Sequence, residues 1–144
     1  MKIKKLIFLG ASGNASVIYS TILDINKKSK NKIKPIGFLD DQKKNFYNLK
    51  NYGRINSKNI ESLRKKKDVY FVWTLRSSKL KKGILKKLHE LKIQKSRFLT
   101  IIHPTANISD ISKIGYGVTI HSLVNIGPNT TIKDHVHIFS QASI

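Results

Sequence analysis

The sequence predicts an α/β chain in two parts: a small parallel-sheet unit over residues 1–100 and a parallel β-helix of hexapeptide repeats over residues 101–144. Three observations predict it. Isoleucine recurs every six residues at Ile102, Ile108, Ile114, Ile120, Ile126, Ile132, Ile138 and Ile144. An apolar run from Ile3 to Leu9 stops at Gly10-Ala11-Ser12-Gly13-Asn14 and gives way to apolar residues at helical spacing. A second apolar run, Ile33 to Leu39, ends in Asp40-Asp41.

The six-residue period fits neither a helix nor a simple strand. It is the signature of a solenoid in which each hexad lays down one short strand and one corner. Four places after the first seven isoleucines stand Ala106, Ser112, Val118, Val124, Thr130, Val136 and Ala142, all small or β-branched. Every ladder Ile is expected to point inward, each burial contributing roughly 1.5–3 kcal/mol. His103 and His121 fall one coil apart, just after a core Ile. His135 and His137 flank Val136 and are expected, like the others, to be surface or corner histidines.

Ile3 to Leu9 reads as a buried first strand. Val17, Ile18, Ile22 and Ile25 then mark a helix to about Asn26. A glycine turn between them aims backbone N–H groups at an anion. The same residues also serve a tight strand–helix turn with no ligand. A dinucleotide fingerprint counted from Gly10 needs glycine where Ser12 and Ala15 stand, which argues against NAD. Asp40 and Asp41, at the end of the second strand, are placed to accept hydrogen bonds from a ribose or base, or to form a turn. Tyr52 to Ile55 reads as a short strand. Ser57 reads as the cap of a helix carrying Ile60 and Leu63 and ending in basic residues. Val69 to Leu75 is a further buried strand. Leu80, Ile84, Leu88 and Leu91 mark an amphipathic helix, and Phe98 to Ile102 a last strand before the repeats.

The formal charge is +20, from 28 Lys and Arg against 8 Asp and Glu. From residue 101 onward Lys113 and Lys133 balance Asp110 and Asp134, so the excess lies in the first hundred residues. Its lysines are scattered over helix faces and loops with no aromatic-interleaved basic motif, so no nucleic-acid partner is expected. The chain has no cysteine, which excludes disulfides and thiolate-held metal and is compatible with the cytoplasm. No apolar run is long enough to span a membrane, and no membrane partner is expected.

The order strand, Gly-Ala-Ser-Gly, helix, then Gly-Phe-Leu-Asp-Asp, Ile-His-Pro-Thr-Ala and hexads with Ile-Gly-Tyr-Gly and Ile-Gly-Pro-Asn resembles one family. It is that of the bacterial sugar acyltransferases, including sialic acid O-acetyltransferases and UDP-4-amino-sugar N-acetyltransferases. The resemblance implies a Rossmann-like domain over 1–100 that binds a nucleotide-sugar, and a left-handed β-helix over 101–144. It also implies acetyl-CoA as co-substrate, no metal, and a homotrimer. Gly10, Ser12, Gly13, Asp40 and Asp41 would contact the nucleotide-sugar. Asn14 stands where the family usually has His; it can hydrogen-bond a sugar but cannot titrate near neutrality. The family's catalytic base is a His in an Ile-Gly-His-Asp stretch whose Ile falls at Ile144, so the base is expected just beyond it. The chain then reads as a truncated fragment, inactive by itself. Two rival functions remain at this level: a non-catalytic sugar-nucleotide-binding scaffold, and a zinc metalloenzyme of the β-helix carbonic anhydrase type that would draw on His121, His135 and His137.

Overall fold

A computed structural model describes residues 1–74, 83, 86 and 89–144. The N-terminal part is a parallel sheet with β1 (Ile3–Leu9) at its centre, between β2 (Lys32–Leu39) and β4 (Val69–Trp73). The short β3 (Lys50–Asn51) lies outside β2. Strands alternate their side chains between faces. Leu6 and Phe8 of β1 pack beneath α1 (Ala15–Lys28) with Ile18, Ile22 and Phe38. Ile7 and Leu9 pack on the opposite face with Ile60 and Leu63 of α2 (Ser57–Arg64). Both faces are covered, so β1 reads as an unbroken apolar run.

Local chemistry sets the details. Pro35 has no N–H to donate, and the pairing of β1 with β2 slips there, from Leu6 opposite Pro35 to Ile7 opposite Gly37. A Cβ on Gly37 would come within 2.6 Å of the Lys50 carbonyl oxygen, so glycine lets β3 approach. The expected strand Tyr52 to Ile55 is instead a turn. Asn51 Oδ1 accepts from the Gly53 N–H at 2.8 Å, and the strand is confined to Lys50–Asn51. The cap of α2 is Asn56 rather than Ser57, its side chain accepting from the Asn59 N–H at 2.9 Å. Leu75, Leu80, Ile84 and Leu88 lie outside the described residues. Phe98 to Ile102 is not one strand: Phe98 bridges Phe71 of the sheet, whereas β5 (Ile101–Ile102) pairs with β8 (Thr119–Ile120).

From Ile101 every hexad carries a two-residue strand: β5, β6 (Asn107–Ile108), β7 (Lys113–Ile114), β8, β9 (Asn125–Ile126), β10 (Thr131–Ile132) and β11 (His137–Ile138). These form three short parallel sheets, β5-β8-β11, β6-β9 and β7-β10. Ile102 pairs with Ile120, Ile108 with Ile126 and Ile114 with Ile132, each partner eighteen residues on. The outer face stacks in the same register: Asn107 Nδ2 donates to Asn125 Oδ1 at 2.8 Å. Corners recur too, with positive φ at Gly117, Leu123, Asn129, His135 and Gln141.

The ladder is buried in its middle and open at its ends. Ile120, Ile126, Ile132 and Ile138 are buried with Val118 and Val124. Ile102 and Ile144 are 37% and 51% exposed, and Ile108 and Ile114 only partly buried, against the expectation that every Ile points into a closed core. Ile120, with Ile102 on one side and Ile138 on the other, is fully buried, whereas Ile102 pairs only with Ile120.

The repeats are joined to the sheet through α1. Ile101 and Leu99 belong to the core beneath that helix. Thr21 Oγ1 and His121 Nδ1 share a buried hydrogen bond of 2.9 Å. His103 Nδ1 accepts from the Thr105 N–H at 3.1 Å, which leaves the proton on Nε2 facing Asp24 Oδ2 at 3.2 Å. His103, His121 and His135 are buried rather than at the surface, although His135 does stand at a corner, with φ 60°. His135 stands edge-on to Phe98 at 4.6 Å between ring centroids. The seam with the sheet and α1 takes up these side chains, which a repeat considered alone leaves outside.

Ile126→Ala is expected to lower the unfolding free energy by about 2–5 kcal/mol. Ile126→Asp should lower it further, by placing an unpaired carboxylate among aliphatics. Urea unfolding followed by circular dichroism checks both, and an Ile126→Asp protein as stable as the parent contradicts the ladder.

The seam also predicts a pH dependence. Burial, with a smaller contribution from the neighbouring His103, holds the His121 imidazole below its ordinary value. The unfolded chain therefore binds the extra proton first as pH falls. The contribution of His121 is full above about 6.5, the ordinary His value, and is lost progressively below it. Urea midpoints at pH 7.5 and 5.5 should fall for the parent and fall less for His121→Gln.

Candidate nucleotide-sugar site

The site candidates lie at the carboxyl ends of β1 and β2, where an open parallel sheet presents its loops. β1 ends against glycine: Gly10 has φ 109° and Gly13 φ 60°, a backbone that L side chains rarely adopt. The loop is tied down at three points. The Gly10 N–H donates to the Leu39 carbonyl at 2.8 Å. The Ala11 N–H donates to Asp40 Oδ2 at 2.8 Å. The buried Thr74 hydroxyl donates to the Leu9 and Gly10 carbonyls at 3.1 and 2.8 Å.

Among the described residues, the Ser12 and Gly13 N–H groups donate to no protein acceptor. They stand just before Ala15, the first residue of α1, where the helix dipole also favours an anion. Asn14 is the N-cap, is 3% exposed, and makes no side-chain cap hydrogen bond. The structure therefore brings Gly10, Ser12, Gly13, Asn14 and Asp40 together.

Asp41 departs from that group. Its Oδ1 accepts from the Ile55 N–H at 2.9 Å, so it braces the segment after β3 rather than the glycine loop. Asp40 is the brace of the loop itself. Its Oδ1 accepts from the Gln42 and Lys43 N–H groups at 2.8 and 2.7 Å, while Oδ2 holds Ala11. Burial pushes this carboxyl up, but the three N–H donors outweigh it and hold it below the usual carboxylate range.

Sequence reasoning missed Thr74, which fastens the loop from the far side of β1, because an isolated Thr after a strand carries no periodic signal. It also missed the aromatic group beside α1, where Phe46 is buried against Phe8 and Phe38 and Tyr47 stacks on Tyr19.

A second concavity lies on the repeats. It has a volume of about 650 Å³, with Ile114, Ile132 and Val136 among its lining residues and Lys113, Lys133 and Asp134 beside them. Among the described residues no three His, Cys, Asp or Glu side chains converge on a point that would hold a metal ion. No helix of the described residues is long and apolar enough to cross a membrane.

Residues 5–88 match the family described as the PglD N-terminal domain. Among curated proteins none matches. Two solved structures share the fold over 98% of the chain. One is the acetyltransferase domain of PglB from Neisseria gonorrhoeae in complex with acetyl coenzyme A, at 19% identity and a TM-score of 0.74. The other is a mutant of perosamine N-acetyltransferase from Caulobacter crescentus in complex with CoA and GDP-perosamine, at 18% identity and a TM-score of 0.76. The chain covers 64% and 62% of the lengths of those two structures.

Because the Asp40 pKa is lowered by folding, its contribution to stability is full above about pH 3.9 and lost as pH falls through the depressed value. Asp40→Asn is expected to cost about 1–2 kcal/mol at pH 7 and less at pH 2, where protonation of Asp40 has begun to remove the same contribution. Chemical unfolding at the two pH values measures the difference.

Proposed function

Since the chain belongs to the PglD N-terminal-domain family, we propose that it is the nucleotide-sugar-binding part of an acetyl-CoA-dependent acyltransferase, one that modifies an amino or hydroxyl group of a sugar in cell-surface glycan biosynthesis. The observation that carries this reading is the braced glycine loop. Asp40 and Thr74 fix its backbone while the Ser12 and Gly13 N–H groups are left for an anion such as a diphosphate.

On this reading residues 1–100 are a Rossmann-like domain, with Gly10, Ser12, Gly13 and Asn14 on the ligand. Asp40 orders the loop beneath the ligand, and Asp41 lines the same end of the sheet. Residues 101–144 are coils of a left-handed parallel β-helix, supported by the eighteen-residue register and the positive-φ corners every six residues. The protein is cytoplasmic and trimeric. Leu123 and Ile111, 59% and 63% exposed on the repeats, supply apolar surface for neighbouring copies. The cleft bounded by Ile114, Ile132, Lys113 and Lys133 pairs an apolar floor with two cations, chemistry suited to the pantetheine and phosphates of acetyl-CoA.

The sugar amine or hydroxyl attacks the thioester carbonyl directly. A general base removes its proton as the new bond forms, and the thiol of CoA leaves. The repeat histidines are each anchored in the fold: His103 on Asp24, His121 on Thr21, His135 on Phe98 and His137 on Thr119. Asn14, which holds no proton to transfer near neutrality, is a hydrogen-bonding group for the sugar.

Calorimetric titration with a UDP-amino-sugar, a GDP-amino-sugar and NAD tests the reading. Binding of a nucleotide-sugar with no binding of NAD is the expected outcome. Tight NAD binding with no nucleotide-sugar binding would falsify it.

A further inference from the structure

The aromatic group beside α1 does more than fill the core. Phe46 is 6% exposed and sits edge-on to Phe8 and Phe38 at 5.3 and 5.9 Å between ring centroids. It pins the segment that follows Asp40 onto the helix side of the sheet. The next residue, Tyr47, turns outward. Its ring stacks on Tyr19 of α1 at 4.6 Å and 29°, yet the residue is 57% exposed. Its backbone has φ 48°, in the left-handed region. A bulky aromatic there is a strained outlier, and such strain, where neighbours hold it, points to function. Burial of Tyr47 itself does not account for it.

The location narrows the occupant. Tyr19 lies four residues, about 6 Å of helix, beyond Ala15 and so beyond the free Ser12 and Gly13 N–H groups. Tyr47 is in the segment whose start, Asp40, holds the Ala11 N–H. A ligand with a diphosphate on the loop would need a flat group a few ångströms further along to reach this pair. Lys43 and Lys44, in the same segment and both exposed, add positive charge to it.

We infer that Tyr47, backed by Tyr19, is a stacking shelf for the nucleobase of the bound nucleotide-sugar. The inference rests on the nucleotide-sugar reading above and assigns the base end of that site. Stacking uses the π-face that every base presents, so the shelf supplies affinity for uracil and guanine alike. Discrimination between bases falls to other groups.

The test compares the parent, Tyr47→Phe and Tyr47→Gly by calorimetric titration with UDP and with inorganic pyrophosphate. Glycine adopts φ 48° without strain, and circular dichroism with the pyrophosphate titration shows whether the variant keeps its fold and its loop. The parent and Tyr47→Phe should bind UDP equally. Tyr47→Gly should bind UDP about tenfold more weakly or worse and bind pyrophosphate as the parent does. Saturation-transfer NMR should show the uracil H5 and H6 protons receiving magnetisation from the protein in the parent and much less in Tyr47→Gly. Equal UDP binding by the parent and Tyr47→Gly overturns the shelf and leaves the nucleotide-sugar reading standing. An equal loss for UDP and pyrophosphate also overturns it, since the loop rather than the base contact has then changed. A parent that binds neither UDP nor any nucleotide-sugar overturns both.

Discussion

Every strand pair described in this protein is parallel, and parallel neighbours cannot be joined by a tight hairpin. The chain must travel back after each strand before it can pair again. Between β1 and β2 it returns through the fourteen residues of α1, between β2 and β3 through the irregular residues 40–49, and between β3 and β4 through α2. After Ile101 it returns without helices, by going round a coil and arriving eighteen residues later beside its own earlier strand. The helical returns cover both faces of the sheet and leave the carboxyl ends of its strands to loops. The coiled returns bury a ladder of isoleucines.

The two solutions meet at α1, and that helix has a different task on each side. Ala15, Ile18 and Ile22 bury against the sheet. Thr21 and Asp24 face the first two coils and hold His121 and His103. Burying polar groups costs stability unless they are hydrogen-bonded. Each of these histidines has one nitrogen on α1, and His121 also stacks beside Phe139 of the next coil at 6.2 Å. The seam is therefore polar, directional and specific in register. A slip of the repeats by one residue would separate both pairs at once.

How much of this was legible depends on how often a signal repeats. The isoleucine ladder was legible because it recurs eight times, and β1, α1 and β2 because their apolar residues keep the period of their element. The corrections fall where one local interaction decides. Asn56 caps α2 one residue before Ser57 because its side chain reaches the Asn59 N–H. The strand at Tyr52 to Ile55 gives way because Gly53, at φ 93°, follows Asn51 into a turn. Asp40 and Asp41, adjacent in sequence, take different partners because the chain turns after β2, Asp40 holding Ala11, Gln42 and Lys43 and Asp41 holding Ile55. Ile102 is exposed because burial in a solenoid comes from stacked neighbours and not from residue type. His103 and His121 were misread for a related reason: their environment is contributed by a helix about eighty to a hundred residues earlier in the chain.

Backbone strain separates the structural corners from the functional candidate. Leu123, Asn129, His135 and Gln141 all have positive φ, and for non-glycine residues each costs of order a kilocalorie per mole or more. They recur at six-residue spacing, and each turns the chain so that the next isoleucine enters the stack. Burial of Ile126, Ile132 and Ile138 in that stack offsets them. Their strain is explained by the fold. Tyr47 has φ 48° with no repeat around it and a side chain more than half exposed. Phe46 anchors the segment but does not require its neighbour to be left-handed or aromatic. The strain at Tyr47 leaves one ring facing solvent against Tyr19 of α1, in the segment that begins at Asp40, and the fold itself does not account for it.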